Sequence, residues 1–228
     1  MNKRLKRTGA VAGMAALAGI GYLAINWVRY GQPARNARPD ALLDRFIPTF
    51  DVREMHEATI AAPAAITYEA ALDMDIHDSR VVSAIFRGRE LLMRSADVAR
   101  TPQSLVQETI ALGWGVLAEE PGHEIVVGTV TRPWEANVRF ESVPAEEFEA
   151  FAEPGYVKIV WTLVAEPLGD SASEFRTETR VATTDAHARA RFRRYWAVMS
   201  PGIALIRRQS LGLVRREAEA RYQALSER

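Results

Sequence analysis

Between Glu174 and Leu213 the hydrophobic period of the chain changes once, from two to about three and a half, and that change constrains the fold more than any other feature. Phe175, Thr177, Thr179 and Val181 alternate with Glu174, Arg176, Glu178 and Arg180, the pattern of a strand over Glu174–Thr183 with one face on a core and the other in water. From Asp185 the spacing becomes 4, 3, 4, 3, 4, 3 through Phe192, Trp196, Met199, Ile203, Ile206, Ser210 and Leu213. That is a continuous stripe along one side of a long helix, with most of the arginines on the opposite arc. Pro201-Gly202 inside the stripe should kink or split the helix, because proline lacks the N–H that the ladder needs. A strand and a long one-sided helix in succession predict an α+β chain whose sheet is antiparallel and solvated on one face.

Upstream elements fit this class. Val52–Ala61 is strand-like and stops at Pro63, and Ala64–Leu72 has helical spacing through Ile66, Ala70 and Ala71. A second helix is expected from Asp78, as N-cap, to Leu91, with Val81, Val82, Ile85 and Phe86 on its apolar side. Val106–Ala118 is read as a strand, the pair Pro121-Gly122 as a turn, and Glu124–Thr131 as a β-branched strand. Val138–Val143 is a further short strand, Pro144 opens a brief helical turn, and Tyr156–Ala165 alternates again. No internal repeat is visible.

The N-terminal end has a different character. Lys3, Arg4, Lys6 and Arg7 lie in a basic tail, residues 1–7, and precede an uncharged apolar stretch, residues 8–28, whose one strongly polar side chain is Asn26. About 20 such residues rise about 30 Å as a helix, the thickness of a hydrocarbon core. Tyr22 and Trp27 suit the interfacial aromatic belt. The stretch is read as a single transmembrane helix. A signal peptide cleaved after Ala18 is the competing reading, against which the apolar character continues beyond that point. Four basic side chains and the amine stand before the span, and Arg29, Arg35, Arg38 and Arg45 stand after it. The positive-inside rule tips this near-balance toward an exported domain. Residues 29–50, with three prolines, read as a linker, and 51–228 as the folded domain.

Formal net charge is zero, from 29 basic and 29 acidic residues, so nothing global steers the chain to nucleic acid. The charge is segregated: acidic residues dominate from Glu108 to Glu178, and arginines from Arg189 to Arg221. A basic helix of this kind is either a solvated face or a surface for anionic lipid. The absence of cysteine excludes disulfides, thiolate nucleophiles and Cys-based metal sites. The four histidines, His56, His77, His123 and His187, form no metal-ligand spacing, and no cofactor motif or catalytic triad signature is present. Asp73, Asp75, His77 and Asp78 are the one dense titratable cluster. They suit acid–base work by a histidine between carboxylates, but helix capping and turn formation explain the same residues.

Local sequence resembles one superfamily. Ala61-Ala62-Pro63-Ala64-Ala65-Ile66-Thr67-Tyr68 is similar to the opening of the START-like, or SRPBCC, proteins, where a strand ends at Ala-Pro and an apolar–aromatic helix begins. Pro154-Gly155-Tyr156, Thr177-Glu178-Thr179-Arg180-Val181 and Arg193-Arg194-Tyr195-Trp196 resemble a bacterial branch of it. The resemblance covers about Val52 to Leu225 and implies a helix-grip fold, a curved antiparallel sheet around the C-terminal helix with an apolar cavity between them. It implies a ligand class, hydrophobic small molecules or lipids, and no particular ligand. Cavity lining is then expected from Trp114, Trp134, Phe140, Trp161, Phe175, Tyr195, Trp196 and Met199, all of which ordinary core packing also explains. Thr177, Thr179 and Ser210 lie on faces otherwise apolar, so each hydroxyl must bond locally or meet a polar part of a ligand. The expectation is a membrane-anchored binding protein without metal or cofactor. Its alternatives are a cyclase or hydrolase using Asp73, Asp75 or His77, and an interaction module using its basic helix. Nothing in the sequence sets the oligomeric state.

Overall fold

A computed structural model describes residues 21, 39–75 and 104–227. The apolar stretch 8–28, Gly21 apart, lies outside these residues, as do the expected helix 78–91, His77 and Asp78. Among the described residues no helix is long and apolar enough to cross a membrane.

The elements run α1 (Ala41–Asp44), β1 (Val52–Ile60), α2 (Ala64–Leu72), α3 (Leu105–Ala111), β2 (Gly115–Glu120), β3 (Glu124–Thr131), β4 (Phe140–Glu141), α4 (Ala145–Phe148), β5 (Val157–Pro167), β6 (Ser173–Thr183) and α5 (Ala186–Ser226). The strands form one curved antiparallel sheet in the order β1-β6-β5-β3-β2, and β4 pairs with β3 off this path. A register shift between Val116 and Ala118 puts a bulge in β2, which bends that end of the sheet. Asp185 caps α5 by accepting from the Ala188 amide at 2.7 Å. The helix then runs unbroken for 41 residues with Pro201 inside it, so of the expected kink or split, the split does not occur.

Both faces of the sheet are covered. On the inner face, α2, α3 and α5 enclose Ile60, Tyr68, Val106, Ile125, Val127, Trp161, Leu163, Phe175 and Val214, all buried. A second cluster toward the start of α5 joins Val52, Val157, Val181, Phe192 and Trp196. The outer face carries its own core, in which Leu43, Phe46 and Ile47 meet Leu117, Val126, Val130, Phe148 and Val160. The Phe46 and Phe148 rings meet edge-on with centroids 6.2 Å apart. Gly128 makes room for this layer, since a Cβ there would lie 2.4 Å from the Leu117 side chain and 3.1 Å from the Phe148 ring.

Three expectations are corrected here. Residues 106–111 are helical, because Ser104 caps α3 by accepting from the Gln107 amide, and only from Gly115 does the chain extend. The residues from Asp40 to Phe50, read as the end of a linker, form α1 and the strap that covers the outer face. That face is therefore dry where the alternation suggested water: Arg176, Glu178 and Arg180 are at most 5% exposed. Their charges are paired within the layer. Glu178 meets Arg53 and Arg180, each at 2.7 Å, and Arg180 continues to Asp44 and the Ile47 carbonyl. Arg176 reaches Asp40 at 3.2 Å. Alternation reports two different faces; it does not report which of them is wet.

Candidate ligand-binding site

Antiparallel pairing places direct cross-strand partners on one face. The inner face accordingly carries a row across five strands: Glu54 on β1, Thr179 on β6, Trp161 on β5, Val127 on β3 and Val116 on β2. The adjacent row is His56, Thr177, Leu163, Ile125 and Glu119. Each row is polar at its β1–β6 end and apolar through β5 and β3. The first row stays apolar to its β2 end, where Val116 is 44% exposed.

Arg207 comes down on the polar end from α5. Its Nη2 donates to Thr179 Oγ1 at 2.9 Å and its Nη1 to Thr177 Oγ1 at 3.5 Å, and the guanidinium carbon lies 5.2 Å from the centroid of the Trp161 ring. Both threonines are buried, and both accept from Arg207, so their own hydroxyl protons remain to be donated. Among the described residues no carboxylate lies within ion-pair distance of Arg207. Burial pushes its pKa down to about 10, and the negative charge of Glu54 offsets part of this, so it is a cation at neutral pH. The side chain is half-buried, and its hydrogen-bond acceptors here are the two neutral hydroxyls, so its remaining donors are open to a further partner. On β1, His56 Nε2 is 3.5 Å from Glu54 Oε2 and makes no hydrogen bond. Farther along α5 the buried Ser200 hydroxyl has no hydrogen-bond partner either.

The expected cavity residues divide among three groups, with Met199 apart from them. Trp161, Thr177 and Thr179 sit together under Arg207, and Phe175 is fully buried one row further along the same face. Trp134, Tyr195 and Trp196 belong to the cluster around Phe192, whose ring lies 5.7 Å from that of Trp196 and 6.0 Å from that of Tyr195. Trp114 and Phe140 pair with each other at 5.6 Å, and Met199 is half-buried on α5. Ser210 bonds locally to the Ile206 carbonyl at 3.0 Å, whereas Thr177 and Thr179 meet a guanidinium instead. Asp73 pairs with Arg221 at 3.0 Å, and with Asp75 lines an open pocket of about 430 Å³ that contains no residue of the two rows. Another open pocket, of about 410 Å³, is lined by Arg132, Glu135, Asn137, Arg139, Glu141 and Tyr156.

Glu54, His56 and Arg207 were missed from the sequence, although the signals existed. Glu54 and His56 share parity with Val52, Ala58 and Ile60, so the apolar ends of β1 mark their face. Arg207 is four residues after Ile203 and three before Ser210, which puts it in the stripe and not on the opposite arc.

No protein-family model matches the chain, and no curated protein matches it. Among solved structures, the chain is similar to the di-domain ARO/CYC protein BexL from the BE-7585A biosynthetic pathway, at 15% identity and a TM-score of 0.31. That match covers 74% of this chain and 46% of BexL, so the chain spans less than half of its length. The Zhui aromatase/cyclase from Streptomyces sp. R1128 is similar at 16% identity and a TM-score of 0.26, over 75% of this chain and 94% of that one. A START superfamily protein from Mycobacterium smegmatis is similar at 11% identity and a TM-score of 0.27, over 76% and 98%. Likenesses this distant carry no argument about the chain's own chemistry, which rests on the geometry of the inner face.

Proposed function

We propose that this chain binds a hydrophobic small molecule or lipid between the inner face of its sheet and α5, and that residues 8–28 hold it at a membrane. The row Glu54–Thr179–Trp161–Val127–Val116 is the observation that carries the proposal. It is polar where Arg207 covers it and apolar toward a partly exposed end, the lining that an apolar body with one polar group requires. Ile203 and Ile206, on the side of α5 that packs on the sheet, are themselves only half-buried and supply further apolar surface. Membrane attachment is supported by the uncharged run at 8–28 and the basic tail before it. An acid–base role for Asp73 and Asp75 has no such support, since Asp73 is engaged with Arg221 outside the two rows.

The test is native mass spectrometry of the full chain, extracted from membranes in a non-ionic detergent. A co-purifying apolar mass, or saturable uptake of an added apolar probe, is expected. A protein that arrives empty and takes up no probe overturns the binding reading. Loss of the chain from the membrane pellet on alkaline carbonate washing overturns the anchor.

A further inference from the structure

We propose, building on that reading, that Arg207 with Thr177 and Thr179 is a head-group seat for a carboxylate, so that the ligand is a long-chain monocarboxylic acid or a compound with that same acid-and-tail design. Three observations converge on it. The first is the donor balance: Arg207 has five N–H groups, its two contacts here are both to threonine hydroxyls, and both hydroxyls retain a proton. The seat therefore offers donors from two sides and asks for an acceptor. A planar guanidinium meets a carboxylate at two points, which no single hydroxyl can match.

The second observation limits the charge. Glu54 lies close enough to act electrostatically on Arg207, yet outside ion-pair distance. One cation with a carboxylate already nearby suits a single negative charge and disfavours the two of a phosphate monoester. The third is the apolar row beside the seat, which a tail would enter by displacing helix packing. From Thr179 it continues through the buried Trp161 and Val127 to the partly exposed Val116, three strand spacings or about 14 Å. Trp161 lies under the guanidinium and begins that apolar row, so the head and the first carbons of a tail have adjoining positions. His56, whose Nε2 lies 3.5 Å from Glu54 Oε2, stands beside Thr177 on the next row.

The experiment compares two probes of one length, palmitate and hexadecanol, by calorimetric titration of the full chain in non-ionic detergent at neutral pH. Palmitate should bind more tightly by about tenfold, the scale of one charge-assisted two-point contact. Arg207→Met should abolish that preference by weakening palmitate more than hexadecanol, and Arg207→Lys should restore only part of it. Thr179→Val should weaken palmitate several-fold and the alcohol by less. If the wild type binds both probes equally, the carboxylate seat is wrong while the apolar site stands. If it binds neither, the site itself is absent and both proposals fall. The wild-type comparison decides between these outcomes whether or not any variant folds.

Discussion

Glu178 and Arg207 are charged side chains on opposite faces of one sheet, and their surroundings differ in kind. Glu178 is fully buried and answered: Arg53 approaches it at two points of 2.7 Å, Arg180 at 2.7 Å, and Arg176 stands at 3.9 Å. Arg207 is answered only by neutral hydroxyls. A paired buried charge is a structural member, because removing one partner strands the others. Glu178→Ala should accordingly cost about 3–5 kcal/mol, the range for breaking a buried ion pair. Denaturant unfolding of the two proteins measures it. A loss below about 1 kcal/mol, the scale of an exposed pair, would show that water reaches this layer. The contrast assigns the two faces their work: the outer charges hold the strap down, and the inner cation is left with unused donors.

At the scale of elements, the strap Asp40–Phe50 and the strand β3 meet through a carboxyl pair. Glu124 is 5% exposed, accepts from Thr162 at 2.8 Å, and lies near Asp40, which caps α1 through the Leu43 amide. Burial first, and then the charge of Asp40, raise its pKa to about 7. The folded state thus holds this proton where the unfolded chain, titrating near 4.5, has lost it. Its contribution to stability is full below about pH 4.5, declines as pH rises toward 7, and is lost above it. The span amounts to roughly 3 kcal/mol. Glu124→Gln, which keeps the oxygen that Thr162 bonds, should remove this slope. The measurement is the difference in unfolding free energy between the two proteins across that range, and parallel profiles would refute the shifted carboxyl.

This layer also explains what the sequence conceals. Strand identity was legible at Glu124–Thr131, and helix identity at Ala64–Leu72, because each is a local pattern of β-branched or helical spacing. The start of the long helix at Asp185 was legible for the same reason. The strap was not: Leu43, Phe46 and Ile47 sit among prolines and arginines, and only contact with a sheet made from residues about 70 or more positions away buries them. Nor was the inner site, since Thr177 and Thr179 draw their meaning from Arg207, some 30 residues further on. A period shows that a face exists; the partner that covers it is tertiary information.

For the whole molecule, one sheet serves two cores, and α5 is what makes the inner one a grip. Trp196 is 7% exposed and packs with Phe192 against Val52, Val181 and Ile159, anchoring the N-terminal half of the helix. Three turns later Arg207 reaches the sheet again over the polar ends of the rows. The helix therefore touches the sheet at an aromatic anchor and at a cation, with half-buried Met199, Ile203 and Ile206 between them. Trp196→Ala should cost about 3–5 kcal/mol through lost transfer energy and the cavity left behind. Arg208→Ala, one residue beyond Arg207 and exposed, should change stability by no more than about 0.5 kcal/mol. A ligand that binds only the closed grip raises the wild-type melting temperature by linkage. With palmitate as the probe, Arg208→Ala should show the full increase and Trp196→Ala a smaller one, because a helix loosened at its anchor no longer fixes Arg207 over Thr179. Melts of the three proteins with and without palmitate separate the contributions. Equal increases in all three would mean that the anchor and the seat are uncoupled, and that α5 does not act as a single lever on the site.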